Sequence, residues 1–346
     1  MQLAERERRR VAVLGVGGLG AQLVGLLDAD GWEVLAVDLR TGFSAELPGQ
    51  VHSALADVRD ADELTGLFQS FRPDVVVNSA AVSADTARRT PSLAVDVNVL
   101  GAAMAARAAV RADAGLLVLA SCATVYGTRL AGGPDESVLP APADLHAGTK
   151  LAAESISAAM ARQAGMAHLV VRPAAMYGER ERTPGTLGWA LWRAARDAST
   201  QRSAGIPAPA TGELEMVHVS DAAHAIRLLI RAAGVSRPGR NGQTGQAGRA
   251  GRAAPAGGGL PPVVNVGAGR TWSAGELVDA AREAFPDTRW AQQPWEDPGV
   301  HRPLDLRLLR ELVDFRPAIS LVSGLRELGD GLGDGPVAQR KSSTNS

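Results

Sequence analysis

Cysteine, lysine and tyrosine are all scarce in this chain of 346 residues. The single cysteine, Cys122, rules out an internal disulfide and leaves a thiolate metal site without partners, so no metal is expected. That usage suits a reducing, cytoplasmic compartment. Of the 36 Lys+Arg residues only Lys150 and Lys341 are lysines, and Lys341 lies in a polar tail. Lys150 therefore stands out in a fold that uses arginine everywhere else. Both tyrosines, Tyr126 and Tyr177, sit in Tyr-Gly pairs. An excess of charge is missing too. The formal net charge is -1, which gives no reason to expect a nucleic acid or an acidic membrane as partner. The longest apolar runs are strand-sized, so no membrane span is expected. Met1 to Arg10 has no apolar stretch and does not read as a secretory leader.

What is present starts at Val11-Ala-Val-Leu14, an apolar run that reads as a buried strand. Gly15, Gly17 and Gly20 follow at G-x-G-x-x-G spacing, and Leu23, Leu26 and Leu27 then recur at helical spacing. Strand, glycine turn and helix together form a dinucleotide-binding pattern. Gly15 permits the tight turn, Gly17 admits a pyrophosphate to the backbone, and Gly20 lets helix pack on strand. Gly18 and Leu19 lie in the first turn, whose free N–H groups and positive dipole end suit phosphate. The second strand, Trp32–Val37, ends at Asp38, followed by Leu39 and Arg40. A carboxylate here accepts the adenosine ribose hydroxyls and repels a 2′-phosphate, which favours NAD, while Arg40 leaves NADP open.

Further strands are expected at Val51–Ala56, Pro73–Asn78, Gly115–Ala120 and His168–Arg172, with helices at Ala61–Phe71, Pro91–Ala112 and His146–Gln163. This alternation implies an α/β fold with a doubly wound parallel sheet, its ligands beyond the carboxyl ends of the strands. Past Ala174 the alternation stops. Helices are expected at Leu187–Arg196, Asp221–Ala232, Ala274–Phe285 and Leu304–Val313, and strands at Glu215–Val219 and Val263–Val266. The organisation expected is a dinucleotide-binding unit, 11–175 with 215–233, and a smaller substrate-binding unit, 176–214 with 263–330. Residues 234–259, rich in Gly, Arg, Pro and Gln, read as an unstructured insertion, and 335–346 as a flexible tail. His218 and His224 read as structural.

Several short stretches carry a resemblance to one family. They are Asp57-Val58-Arg-Asp60, Asn78-Ser79-Ala80-Ala81, Asn98-Val-Leu-Gly101, Ser121-Cys122-Ala-Thr124-Val-Tyr126-Gly127, Arg172-Pro-Ala-Ala-Met-Tyr177-Gly178, Val217-His-Val-Ser-Asp221 and Arg302-Pro-Leu-Asp305. In order and spacing the chain resembles the extended short-chain dehydrogenase/reductases, the nucleotide-sugar epimerases, dehydratases and ketoreductases. The resemblance implies a Rossmann-type sheet with a C-terminal substrate-binding domain, NAD as cofactor, a nucleotide sugar or related small metabolite as substrate, and a homodimer. It assigns Asp57 and Val58 to the adenine, and Ser79, Ala80, Ala81, Asn98, Lys150 and Arg172 to the rest of the cofactor. Ser83, Thr124, Tyr126, Tyr177 and Arg302 fall to the substrate, Arg302 beside its diphosphate.

The chemical centre departs from that family. Its Tyr-x-x-x-Lys pair would put tyrosine four residues before Lys150, where this chain has His146. Its catalytic Ser or Thr falls at Cys122. Cys122, His146 and Lys150 are the candidate catalytic residues, the last two on one helix face. A histidine taking a proton becomes a cation beside Lys150 and oxidised nicotinamide. One such contact at ~4 Å costs about 4 kcal/mol at an effective dielectric near 20. Alcohol oxidation is therefore penalised more than carbonyl reduction. A reductase or epimerase is the leading expectation. A non-redox lyase or isomerase and a cofactor-binding pseudoenzyme stay open.

Overall fold

The computed structural model describes residues 8–128, 130, 132–181, 183–200, 203–209, 212–235, 262–295 and 302–330. The expected insertion, from residue 236 on, and the expected tail lie outside them.

In chain order the first elements are β1 (Arg10–Leu14), α1 (Gly18–Ala29), β2 (Glu33–Asp38), β3 (His52–Leu55), α2 (Ala61–Phe71), β4 (Val75–Asn78), α3 (Ala84–Arg89) and α4 (Pro91–Ala94). A π-type stretch, Val95–Leu100, leads into α5 (Gly101–Arg111), then β5 (Leu116–Ala120), α6 (Leu145–Ala164) and β6 (Ala167–Pro173). The remainder is β7 (Ala175–Tyr177), α7 (Leu187–Thr200), β8 (Ser203–Pro209), β9 (Glu213–His218), α8 (Val219–Ala232), β10 (Val263–Val266), β11 (Thr271–Ser273), α9 (Ala274–Ala284), β12 (Arg289–Trp295), α10 (Arg307–Leu312) and α11 (Leu321–Asp330).

Seven strands form one parallel sheet in the order β10-β6-β5-β4-β1-β2-β3. The order reverses between β1 and β4, so a crevice opens beyond their carboxyl ends. Both faces of the sheet are covered, which is why its strands read as continuous apolar runs rather than alternating ones. Val11, Val13, Val75 and Val77 pack with α1 and α8 through Leu23, Leu27, Ile226 and Ile230. Ala12, Leu14 and Val76 face the other way, onto Leu64 and Phe68 of α2 and the alanines of α5.

The expected helix over Pro91–Ala112 runs continuously from Pro91 to Arg111, with a π-type widening, Val95–Leu100, around Asn98. The helical run Pro91–Arg111 has 21 residues and is apolar enough, by length and composition, to cross a bilayer. Here Ala102, Ala105, Ala106, Ala108 and Ala109 are buried in the fold, which makes it a core helix.

The second layer holds a three-stranded sheet, β11-β9-β7, and a two-stranded parallel pair, β8 and β12. Leu187, Leu191, Trp192, Ile206, Leu277, Ala281, Leu325 and Leu328 form its core. Strands β8 and β12 lie outside the sequence expectation because prolines interrupt both, and proline is tolerated only on sheet edges such as these. Val263–Val266 does not join this layer. It adds to the edge of the main sheet beside β6, and Leu304, Leu306, Leu309 and Phe315 pack into the main core with it.

Candidate active site

The glycine turn is shaped by two collisions and one gap. Gly15 has φ +80°, and a Cβ there would lie 2.5 Å from the Ala80 backbone. A Cβ on Gly20 would strike the Gly15 carbonyl oxygen, whereas one on Gly17 would meet nothing within 4 Å. Gly17 thus opens on a free cradle at the N-terminus of α1, where no side chain caps the first turn. Ser79 Oγ ties the turn down, donating to the carbonyls of Leu14 at 2.9 Å and Gly15 at 2.8 Å. At the end of β2, Asp38 accepts from Val16 N at 2.7 Å and from the backbone and Nε of Arg40 at 2.8 and 3.2 Å. Arg40 in turn donates to the Val16 carbonyl at 2.5 Å. Asp57 is clamped by Arg59, whose guanidinium holds its carboxyl below the usual range. Val58 packs against Gly101, where a Cβ would come within 2.7 Å of it.

The centre of the crevice is built on one face of α6. Asp144 caps that helix, accepting from Ala147 N at 2.8 Å. His146, Lys150 and Glu154 then follow at four-residue spacing on the same face. Lys150 and Glu154 are 5% and 6% exposed. Glu154 accepts from Arg172 through two bonds, 3.1 and 2.7 Å, and from Ser121 Oγ. Cys122 follows β5 with its Sγ 2.9 Å from Thr124 Oγ1. Burial raises the Cys122 thiol, against an opposing pull from the nearby Lys150 charge. Lys150 is lowered by burial. His146 is lowered to about 4, first by burial and then by Lys150, so its imidazole is neutral at physiological pH. Its Nδ1 is buried without a hydrogen-bond partner.

Asn98 ties the two walls together. Its Oδ1 accepts from Val82 N at 2.9 Å, and its Nδ2 donates to Thr149 Oγ1 at 2.9 Å. That hydroxyl donates to the His146 carbonyl at 2.8 Å. The π-type turn aims the Asn98 side chain into this gap, as such turns do at functional sites.

Residues 11–241 match the NAD dependent epimerase/dehydratase family. The chain belongs to that family. Among solved structures it is similar to the UDP-glucose 4-epimerase of Thermus thermophilus in complex with NAD, at 25% identity and TM-score 0.75, covering 93% of this chain and 98% of that one. It shares the fold of the dTDP-glucose 4,6-dehydratase DesIV of Streptomyces venezuelae, at 22% identity and TM-score 0.74, covering 93% and 96%. A dTDP-4-dehydrorhamnose reductase of Aggregatibacter actinomycetemcomitans is 36% identical over 111 residues, 31% of this chain. That match spans 33% of the relative's own length. The Rossmann-type fold, the enzyme class and the NAD dependence expected from the sequence are those of the epimerase/dehydratase family.

Within this family member, the structure gathers Gly15, Gly17, Gly18, Leu19, Gly20, Asp38, Ser79, Ala80, Asn98, Cys122, Thr124, His146 and Lys150 around the crevice. Three of the expected contact side chains are engaged elsewhere. Arg172 is buried on Glu154, its guanidinium 4.8 Å from the Tyr126 ring centre. Tyr126 donates to Asn265 Oδ1 at 2.8 Å. Tyr177 is buried edge-on against His218, ring centres 5.2 Å apart. Ser83 caps α3, accepting from Thr86 N at 3.3 Å, and Arg302 is exposed. Glu154 is not among the residues expected from the sequence, although its register with His146 and Lys150 along α6 is a signal of it. Glu181, which lies over Gly18 and is raised to about 7 by burial, had no such signal.

The lowered His146 gives a stability prediction. Its unfolded value is near 6.5, so between pH 6.5 and about 4 the unfolded chain binds a proton that the folded chain refuses. Its contribution is full above 6.5, is lost as pH falls, and is gone below about 4. Glu181 and Glu215, both raised to about 7, act in the opposite sense, so the difference between variants is the quantity to read. In urea unfolding, His146→Phe is expected to gain stability relative to wild type as pH drops from 7 to 4.5, with no change in that difference from pH 7 to 8.

Proposed function

We propose that the chain is an NAD-dependent ketoreductase acting on a nucleotide sugar, with His146 as proton donor in place of the family's tyrosine. The observation that carries this reading is the meeting of Lys150, His146 and Cys122 on one crevice whose other wall is the N-terminus of α1, with free space at Gly17 and Glu181 lying over Gly18. The residues fit a dinucleotide: the Gly17 cradle is free, and His146 Nδ1 is buried with no partner.

Gly17, Gly18 and Leu19 present backbone N–H groups to the pyrophosphate. Asp38, with Leu39 and Arg40, takes the adenosine ribose, and Asp57 and Val58 take the adenine. Asp38 already binds two N–H groups of Arg40, and its carboxylate would confront a 2′-phosphate, which supports NAD over NADP. Ala80, Ala81, Asn98 and Lys150 hold the nicotinamide end. NADH bound in this crevice would supply the hydride to the carbonyl carbon, leaving NAD, and NAD would accept it in the oxidative direction. Thr124 hydrogen-bonds the substrate oxygen, because a hydroxyl donates better than the Cys122 thiol beside it. His146 delivers the proton to the carbonyl oxygen and is relieved of a charge that Lys150 repels. In the oxidative direction it would have to acquire that charge. Ser83 contacts the substrate, and Arg302 contacts its diphosphate.

The cofactor assignment is checked by calorimetric titration. NADH and NAD are expected to bind with release of heat and NADPH more weakly; no heat from either dinucleotide would refute it.

With His146 at about 4, on the order of 10⁻³ of the chains carry the imidazolium at pH 7. Reductive turnover of a 4-keto sugar nucleotide is therefore expected to rise as pH falls toward that value. His146→Phe should abolish turnover, and His146→Tyr should raise alcohol oxidation and move its pH dependence upward. Nicotinamide absorbance reads both. Full activity in His146→Phe assigns the proton to Cys122 or water. A wild type that is silent on every carbonyl and alcohol, with a gain in His146→Tyr, favours a non-redox reaction.

The alanine-rich α5 and α6 lie side by side, with Val95, Leu100 and Ile156 exposed near them at 46%, 43% and 37%. We assign this face to a second copy of the chain, in a cytoplasmic homodimer. Light scattering at micromolar concentration should return twice the chain mass, and a monomer would refute it.

A further inference from the structure

We propose that Glu215 is a positioning residue for the substrate's diphosphate: its buried carboxylate clasps the two loops that place Arg302. The proposal rests on the nucleotide-sugar reading above.

Glu215 lies within β9, the central strand of the small three-stranded sheet, and is 0% exposed. Its Oε1 accepts from Gly269 N at 2.9 Å, and the Ala268 N–H also favours its charged form. Its other oxygen accepts from Leu304 N. One carboxylate thus binds the turn after β10 and the segment that begins at Arg302. The turn can descend this far only because residue 267 is glycine. A Cβ there would collide with Glu215 Oε1.

The same segment has a second anchor. Asp305 N donates to the Pro134 carbonyl at 3.1 Å. Asn265 Nδ2 donates to that carbonyl at 3.1 Å and to the Asp305 carbonyl at 3.5 Å. Leu304 buries its side chain in the main core. Arg302, two residues before Leu304, is therefore tethered through Leu304 and is itself exposed.

An ionised carboxylate offers enough lone pairs for all of these N–H groups. Protonated, or replaced by an amide, it turns one acceptor into a donor that faces an N–H. The charged and titratable groups on the packed elements include Glu136, Glu213, His218, Arg270, Asp305, Arg307, Arg310 and Glu311; of these Glu136, raised by burial, accepts from Asn265 N at 2.7 Å in the second anchor. Arg270 pairs with Glu276, Asp305 with Arg307, and Glu213 takes the Thr271 hydroxyl. Ionisation of Glu215 is instead governed by burial, which lifts it to about 7 against the backbone donors. Protonation below that pH replaces an acceptor with a donor and weakens the clasp.

The test measures binding of UDP-glucose and dTDP-glucose to the NAD-loaded full chain by calorimetry from pH 6 to 8, alongside NADH binding. Wild type should lose about tenfold in sugar-nucleotide affinity as pH falls from 8 to 6, the weight of one hydrogen bond to a charged group. Glu215→Gln should bind weakly and with no pH dependence, with NADH affinity intact. Arg302→Ala, a surface change that leaves the clasp in place, should be equally weak and equally flat. The proposal is overturned if Glu215→Gln matches wild type or if Arg302→Ala keeps the pH dependence. Should Glu215→Gln fail to fold, wild type and Arg302→Ala decide the matter. If neither sugar nucleotide binds wild type, the substrate reading fails and takes the proposal with it. Binding that ignores pH overturns the Glu215 proposal alone.

Discussion

Glu154 carries the charge around which the crevice is arranged. It is buried beneath the ends of β5 and β6, where an unpaired carboxylate would be prohibitively costly. Arg172 neutralises it through two bonds, and Ser121 fills a remaining lone pair. With that pair complete, α6 can lie with its polar face against the sheet, and Lys150 is carried into the interior one turn earlier. Removing Glu154 would strand Arg172 as an uncompensated charge, a change that typically costs about 3–5 kcal/mol. Arg172 also lies over Tyr126, and Tyr126 holds Asn265. A chain of contacts thus runs from the ion pair through Tyr126 and Asn265 to the Asp305 carbonyl, three residues past Arg302.

The chemistry proposed for His146 follows from the same burial. In water an imidazole beside an ammonium would differ little from its ordinary value. In this crevice both groups lose solvent, and each charged form is disfavoured. The neutral imidazole next to Lys150 is a weak base and, once protonated, a strong acid. That asymmetry separates this chain from a tyrosine-based relative, in which the lysine stabilises the charged form of its partner instead of repelling it.

The cofactor end obeys geometry more than charge. Gly15 and Gly20 are required by contacts of a few ångströms, and Gly17 by the open space it leaves. Ser79 and Ala80 bring β4's end against that turn. Nothing there needs a special ionisation state, which is why the arrangement is recognisable from spacing alone.

Much of the fold was legible because its signals are local. Buried parallel strands read as apolar runs, glycines mark the turn after β1, and α2 was anticipated at its observed ends, Ala61 and Phe71. The register of His146 with Lys150 could be counted along one helix. The sequence by itself therefore determined six strands of the main sheet, the glycine turn after β1 and the identity of the unusual residues. It did not reveal that the Arg172, Tyr126 and Tyr177 side chains would be engaged by Glu154, Asn265 and His218, since each partner is distant in sequence or on another element. It did not place Val263–Val266 on the main sheet or Glu215 under Leu304. Those outcomes depend on which buried polar groups meet once the layers close, and burial is a property of the packed chain, not of any stretch of it.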